Sequence, residues 1–200
     1  SGVITFEGKE THFTDPRVAS ALGIEFVYQD LALAENLDIT QNMFLGRELH
    51  RGPFSLDGQM ERKARETLTG LSVRTVHSVR QVVASLSGGQ RQTVAIAKAV
   101  LWNGKVVFLD EPTAALGVAQ TKQVLDLVRR LADNGIGVVL ISHNMNDVMQ
   151  VADRVDALFL GRIAAEVMRK DTTTSQIVEL ITTGRSGDIG LSAATAAKSA

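Results

Sequence analysis

Apolar positions along this chain change their period several times, and each change marks an element. Val3 to Phe6 and the apolar-flanked His12 and Phe13 bracket Gly8-Lys9, which predicts a short hairpin. Asp15-Pro16 can cap and start a short helix through Ala21-Leu22, because proline at the first helical position has its φ already set; Gly23 ends it. Ile24 to Tyr28 reads as a strand with Gln29 at its C-terminal edge. Asn42 to His50 reads as helix, Pro53 as a break, and Asp57 to Leu68 as a charged amphipathic helix, so residues 30–85 form a mostly helical insert.

From Gly88 the pattern tightens. Val94, Ile96, Ala97, Ala99, Val100 and Leu101 mark a helix that runs to about Asn103-Gly104, and Val106 to Leu109 follows as a buried strand. Val118 to Ala132 reads as helix, Gly137 to Ile141 as strand and Met145 to Val151 as helix. This alternation predicts an α/β fold with a parallel sheet covered on both faces. Val155 to Phe159 and Ile163 to Val167 read as two closing strands around Gly161, and Thr173 to Ile181 as a last helix. After Thr183 the Gly/Ser/Ala/Thr-rich segment ending Ala193 to Ala200 has little to bury and reads as a disordered tail over 184–200.

Composition changes this picture mainly by exclusion. With 200 residues the chain can bury a substantial core. Twenty-one basic residues against 22 acidic ones give a net charge of -1, so no global field draws it to nucleic acid or anionic lipid. The absence of cysteine excludes a disulfide framework or thiolate metal site and fits a reducing compartment, and the histidines at 12, 50, 77 and 143 are too scattered for a metal cluster. No apolar run reaches the length of a membrane span, and the first residues carry no secretion signal.

Candidate chemistry gathers at the ends of strands. Asp110 and Glu111 close the apolar run Val106 to Leu109, at the edge where open α/β sheets place ligands. Adjacent positions on an extended strand point to different sides, which separates two tasks: Asp110 for indirect or water-mediated magnesium ligation, and Glu111 for polarising a water aligned with a terminal phosphate. Taken alone, such a pair caps a turn as readily. Ser87-Gly88-Gly89-Gln90 precedes a helical run, where small residues expose backbone donors and the helix terminus favours an anion; taken alone, these glycines make a turn. His143 follows the next strand and can hydrogen-bond a terminal phosphate or, more simply, cap a helix together with Ser142. Gln29 can sense the phosphate through the magnesium shell or the attacking water. Tyr28 reads as packing.

The order Gln29, Leu86 to Gln90, Val106 to Thr113 and His143 resembles the ATP-binding-cassette transporter ATPase family over residues 1–183. The resemblance implies a P-loop NTPase-type sheet with a helical subdomain at about 30–85, and ATP and Mg2+ as cofactors. It implies Glu111 and His143 as catalytic residues and Gln29, Ser87, Gly88, Gly89, Gln90 and Asp110 as cofactor-binding residues, with Gln29 and Asp110 toward the metal. The segment Asn42 to Glu48 and the run Ala114-Ala115-Leu116-Gly117 resemble ATPases of bacterial ribose, xylose and fructose importers. Implied partners are a second ATPase domain in a head-to-tail dimer, a transmembrane sugar permease and, indirectly, an external sugar-binding protein, with no nucleic acid. The implied place is the cytoplasmic face of the bacterial inner membrane.

Two departures from the family pattern bear on activity. No Gly-rich turn ending in Gly-Lys-Ser/Thr occurs between Ser1 and Gln90, nor an adenine-stacking aromatic, and Gly117 stands where the family often has aspartate. The expectation is therefore an N-terminally truncated cassette that lacks the N-terminal strands and phosphate loop and is inactive alone. The alternative expectation is a noncatalytic fragment acting as a protein-interaction module. A DNA-associated or translation-associated cassette is disfavoured by the near-neutral charge.

Overall fold

The computed structural model describes residues 2–73, 75–102 and 104–190. Asn103, expected near a helix end, and residues 191–200 of the expected tail lie outside the described residues. Two compact units divide the chain after Ile141.

The first unit opens with β1 (Thr5–Phe6) and β2 (Lys9–Glu10), an antiparallel hairpin whose turn places Glu7 and Gly8 at φ 50° and 76°. Lys105 fastens it, donating from Nζ to Glu7 Oε1 at 2.7 Å and lying 5.9 Å from the centre of the Phe6 ring. α1 (Pro16–Ala21) begins as its sequence requires, with Pro16 in the first turn and Asp15 Oδ1 accepting from the Arg17 N–H at 2.7 Å. β3 (Ile24–Val27) follows. The expectation of a fold lacking its N-terminal strands is thereby corrected: β1, β2 and α1 stand ahead of β3, and Lys105, just before the next core strand, holds the hairpin in place.

The next segment also departs from expectation. The helix expected over Asn42 to His50 is instead α2 (Ile39–Phe44), started early by a reciprocal cap in which Asp38 and Gln41 each receive the other's backbone N–H. Gly46, at φ 78°, takes the chain out of the helix. Then β4 (His50–Arg51) and β5 (Phe54–Ser55) form a small hairpin around Gly52-Pro53, and α3 (Asp57–Gly70) buries Met60, Ala64 and Leu68 at helical spacing. A single 3-10 turn at Val83–Ser85 leads to α4 (Gly88–Leu101).

Asn42 is fully buried and acts as a clamp. Its Oδ1 accepts from the Ala34 N–H at 2.7 Å, and its Nδ2 donates to the carbonyls of Ala34 (2.9 Å), Leu37 (3.3 Å) and Asp38 (3.0 Å). The same stretch is zipped to residues 79–84: Ile39 N–H reaches Gln81 O, Thr40 N–H reaches Val79 O, and Val83 N–H reaches Leu37 O, all at 3.0–3.1 Å.

β6 (Val106–Asp110), α5 (Val118–Asp133) and β7 (Gly137–Ile141) complete a parallel sheet in the order β3-β6-β7. Its register sets Val27, Leu109 and Leu140 in one row and Phe26, Phe108 and Val139 in the next. Val27 and Leu109 are buried, whereas Phe26 is 47% and Val139 40% exposed, so the expected cover on both faces is not observed. Phe26 stacks on Phe108 at 4.7 Å and on Tyr28 at 6.1 Å, an aromatic ladder on the open face. On the other side α4 packs against β3, α5, α2 and α3. Beside its end, Arg47 reaches Glu25 Oε1 at 3.2 Å, bonds Ser20 Oγ, and lies 5.3 Å over the Trp102 ring, whose edge meets Phe44.

The second unit contains α6 (Met145–Val151), the antiparallel pair β8 (Arg154–Phe159) and β9 (Arg162–Met168), and α7 (Thr174–Thr183). Gly184, at φ 77°, ends α7 with its place fixed against the Phe159 ring. β10 (Arg185–Ser186) and β11 (Ile189–Gly190) form a short hairpin within the stretch expected as tail. Among the described residues no helix is long and apolar enough to cross a membrane.

Replacing Asn42 with leucine leaves the Ala34 N–H and three carbonyls without their side-chain partner. The expected cost is about 2–4 kcal/mol, read as a lowered urea midpoint at unchanged slope.

Candidate functional site

Val27 and Leu109 pair across β3 and β6, so the residues two positions beyond them, Gln29 and Glu111, leave adjacent parallel strands at the same edge. Asp110 closes β6, half-buried and in register with Ile141. Glu111 then turns sharply at φ 47°, while its N–H continues the ladder to Ile141 O at 2.9 Å. A side chain in this left-handed region costs about 1–2 kcal/mol, which the ladder bond and the next turn offset. That turn is compact. Ala114 N–H donates to Glu111 O and Leu116 N–H to Thr113 O, both at 3.2 Å, with Pro112 and Thr113 buried.

Against this turn stands the start of α4. Ser87 and Gln90 form a capping box: Ser87 Oγ accepts from the Gln90 N–H at 3.3 Å, and Gln90 Oε1 accepts from the Ser87 N–H at 2.9 Å. Gln90 Nε2 donates to Thr75 O at 2.5 Å, which commits this side chain to holding the loop before α4. The glycines permit close approach. A Cβ on Gly88 would lie 3.2 Å from Leu116 Cδ2, and one on Gly89 would lie 3.0 Å from Gln120 Cβ and 3.1 Å from its Cγ.

Where these elements meet, an open cleft of about 180 Å³ is lined by Gln29, Gly88, Arg91, Gln92 and Glu111, with the turn after Glu111 as one wall. Three residues expected from the sequence, Gln29, Gly88 and Glu111, thus share one space. Asp110, Ser87, Gly89 and Gln90 do not line it. Asp110 sits at its strand end, Ser87 and Gln90 cap α4, and Gly89 is buried against Gln120. His143 belongs to the second unit, exposed between Ser142, whose Oγ accepts from the Asn144 N–H at 3.1 Å, and Asn144, which caps α6.

Two residues of the cleft carry roles the sequence reading did not assign. Arg91 donates from Nη1 to Glu35 Oε1 at 2.8 Å and from Nε to Leu86 O at 3.2 Å, tying α4 to the segment after Gln29. Gln92 lies one helical turn beyond Gly88 on the same face, and this i, i+4 relation was the signal available for it.

A magnesium nucleotide suits this edge. Among the described residues no three His, Cys, Asp or Glu side chains gather into a metal cage. Mg2+ needs none, because it keeps waters and phosphate oxygens and takes only one or two protein ligands. Asp110 and Gln29, at the ends of neighbouring strands, are the two residues that would hold it.

Comparison with known proteins bears on the whole chain. The family model for ABC transporters matches residues 1–114. A fructose import ATP-binding protein of Rhizobium meliloti is 46% identical over 188 residues, covering 90% of this chain and 72% of that protein. A xylose/arabinose import ATP-binding protein of Sulfolobus acidocaldarius is 40% identical over 190 residues, covering 95% and 75%. Among solved structures, a dimeric ATP-binding cassette in a post-hydrolysis state bound to ADP and Pi superposes with a TM-score of 0.66 at 26% identity, covering 84% of this chain and 74% of that one.

These matches overturn the expectation of a truncated and inactive cassette. The family match begins at residue 1 and alignments take in 90% and 95% of the chain. The missing Gly-Lys-Ser/Thr spacing between Ser1 and Gln90 says nothing about the whole molecule, because where a chain begins cannot carry such a statement. The expectations of a fold without its phosphate-loop region, an inactive subunit and a noncatalytic interaction fragment fall with it.

The packing at the two glycines separates them in a measurable way. Gly89→Ala is expected to destabilise by about 1–2 kcal/mol, because Gln120 Cβ sits next to the backbone of α5 and cannot swing aside. Gly88→Ala meets only a leucine methyl and is expected to stay within about 0.5 kcal/mol of the parent, since alanine also favours the helix. Denaturant unfolding of both variants tests the order.

Proposed function

We propose, for a chain that belongs to the ABC transporter family, that it is the ATP-binding and ATP-hydrolysing subunit of a carbohydrate importer, with ATP and Mg2+ as its cofactors. The observation that carries the reading is the meeting of Gln29 and Glu111 with the start of α4 in one cleft at the C-terminal edge of a parallel sheet.

In this reading Glu111 accepts a proton from the water that attacks the terminal phosphate, and its strained backbone fixes the direction of its side chain. Asp110, one residue earlier, orients the waters around magnesium, and Gln29 approaches from the neighbouring strand. Bound magnesium neutralises charge on the phosphate oxygens. His143 is carried over from the family resemblance alone as the second catalytic residue of this reading. Gly88 and Gly89, at the positive end of α4, offer backbone N–H donors and Ser87 its hydroxyl to the nucleotide of a second ATPase domain in a head-to-tail dimer. Residues 30–85 act as a helical subdomain facing a transmembrane sugar permease, and an external sugar-binding protein delivers the substrate to that permease. The subunit works at the cytoplasmic face of a bacterial inner membrane. The fructose and xylose/arabinose relatives support a monosaccharide as cargo.

In the assembled transporter, Glu111→Gln is expected to lower ATP turnover by about 10²–10⁴-fold while nucleotide binding is retained, because the amide keeps the shape and loses the base. Steady-state phosphate release together with equilibrium nucleotide binding makes the measurement. Undiminished turnover would remove Glu111 from its catalytic role.

A further inference from the structure

Arg91 uses its guanidinium in two directions at once. Nε donates to Leu86 O at 3.2 Å, and Nη1 donates to Glu35 Oε1 at 2.8 Å. Leu86 immediately precedes Ser87, the N-cap of α4, so the first bond holds the backbone on which the helix start is built. The second bond ties that start to the loop between Gln29 and α2. Glu35 is itself held in place: its carbonyl accepts from the Ala84 N–H at 3.0 Å, and the Ala34 N–H is taken by Asn42 Oδ1 at 2.7 Å. The carboxylate therefore projects from anchored backbone, and its meeting with Arg91 is set by the fold of residues 34–42.

With side chains 35% and 67% exposed, the pair is screened by solvent and adds little to stability. Its contribution is geometric. A guanidinium presents its donors in a rigid planar fork, so an acceptor on Nη1 also fixes the direction of Nε. Without Glu35 the fork is free to turn and the hold on Leu86 O loosens. Resting on the ATPase reading, we infer that Glu35 and Arg91 are positioning residues. The pair holds the first turn of α4, with the Gly88 and Gly89 N–H groups and the Ser87 hydroxyl, at a set distance from the chain leaving Gln29. Gln29, Gly88 and Arg91 line the same cleft, so a shift of that turn alters the space in which nucleotide is handled. Glu35 acts only through Arg91, and what it supplies is an acceptor oxygen at a fixed place.

Two measurements test the inference. In the assembled transporter, Glu35→Ala is expected to lower kcat about three- to fivefold with the KM for ATP within about twofold, as for contacts realised only in the transition state. Glu35→Gln keeps an oxygen that accepts from the guanidinium, and its kcat is expected to stay within about twofold of the parent. In the chain itself, the backbone amide signals of Gly88 and Gly89, followed by NMR, are expected to shift in Glu35→Ala and to stay in place in the control Glu66→Ala, a change at an exposed position of α3. Glycine amides that ignore Glu35→Ala overturn the inference, as does an undiminished kcat in that variant. A Glu35→Gln variant as impaired as Glu35→Ala overturns it too, because the acceptor would then not be what matters. Undiminished turnover in Glu111→Gln overturns the catalytic reading alone and leaves the glycine amide shifts as they are, so the two failures are told apart.

Discussion

Burial of the middle of α4, from Gln92 to Ala97, is the constraint on which the rest of the first unit depends. Val94, Ile96 and Ala97 are wholly inaccessible, and a fully buried valine or isoleucine side chain contributes roughly 1.5–3 kcal/mol. Ala95, Ala97 and Ala99 keep the helix narrow, so that β3, α5, α2 and α3 can all approach it. A helix gripped along its length presents its N-terminus at a fixed place. The capping box of Ser87 and Gln90 finishes that end, and the glycines let the turn after Glu111 lie directly against it.

The loop between β3 and α2 gains its order from polar contacts. Asn42 spends its side-chain amide on the backbone of residues 34–38, and Arg91 meets Glu35 from α4. The Arg91–Glu35 pair is partly exposed, so its role is to set the position of the loop more than to add stability. The chain leaving Gln29 is thus pinned several residues downstream. A displacement of α2 has a direct mechanical route to the cleft through this pinned loop, within one unit of the fold.

The sheet elements were legible because their apolar runs are short, bounded by glycine or charge, and end in residues with no reason to be buried. Gln29, Gly88 and Glu111 could be selected on the same ground, since strand ends and helix starts are where backbone donors and side chains turn toward a ligand. Asn42 and Gln92 could not. A polar residue on a helix reads as a solvated face until packing shows that its neighbours enclose it, and both are enclosed here. The extent of α2 was misread for a related reason: its start depends on the Asp38–Gln41 reciprocal bonds, whereas apolar periodicity continues past Phe44 into a segment that Gly46 bends away. The β4–β5 hairpin, with two-residue strands, carries no period to detect. The openness of the row Phe26, Phe108 and Val139 was likewise hidden, because a run of apolar residues does not say how many faces are covered.

Trp102 is the single tryptophan of the chain, and it stands where three parts of the first unit converge. It caps α4, meets the edge of Phe44 from α2 at 5.4 Å, and lies beneath the guanidinium that Arg47 also extends to Glu25 of β3. An indole emits according to the charge and polarity at its ring, and here both are set by side chains of different elements. The molecule therefore carries an intrinsic optical gauge at the joint between its α2 region and its sheet, with no second tryptophan to blur the signal.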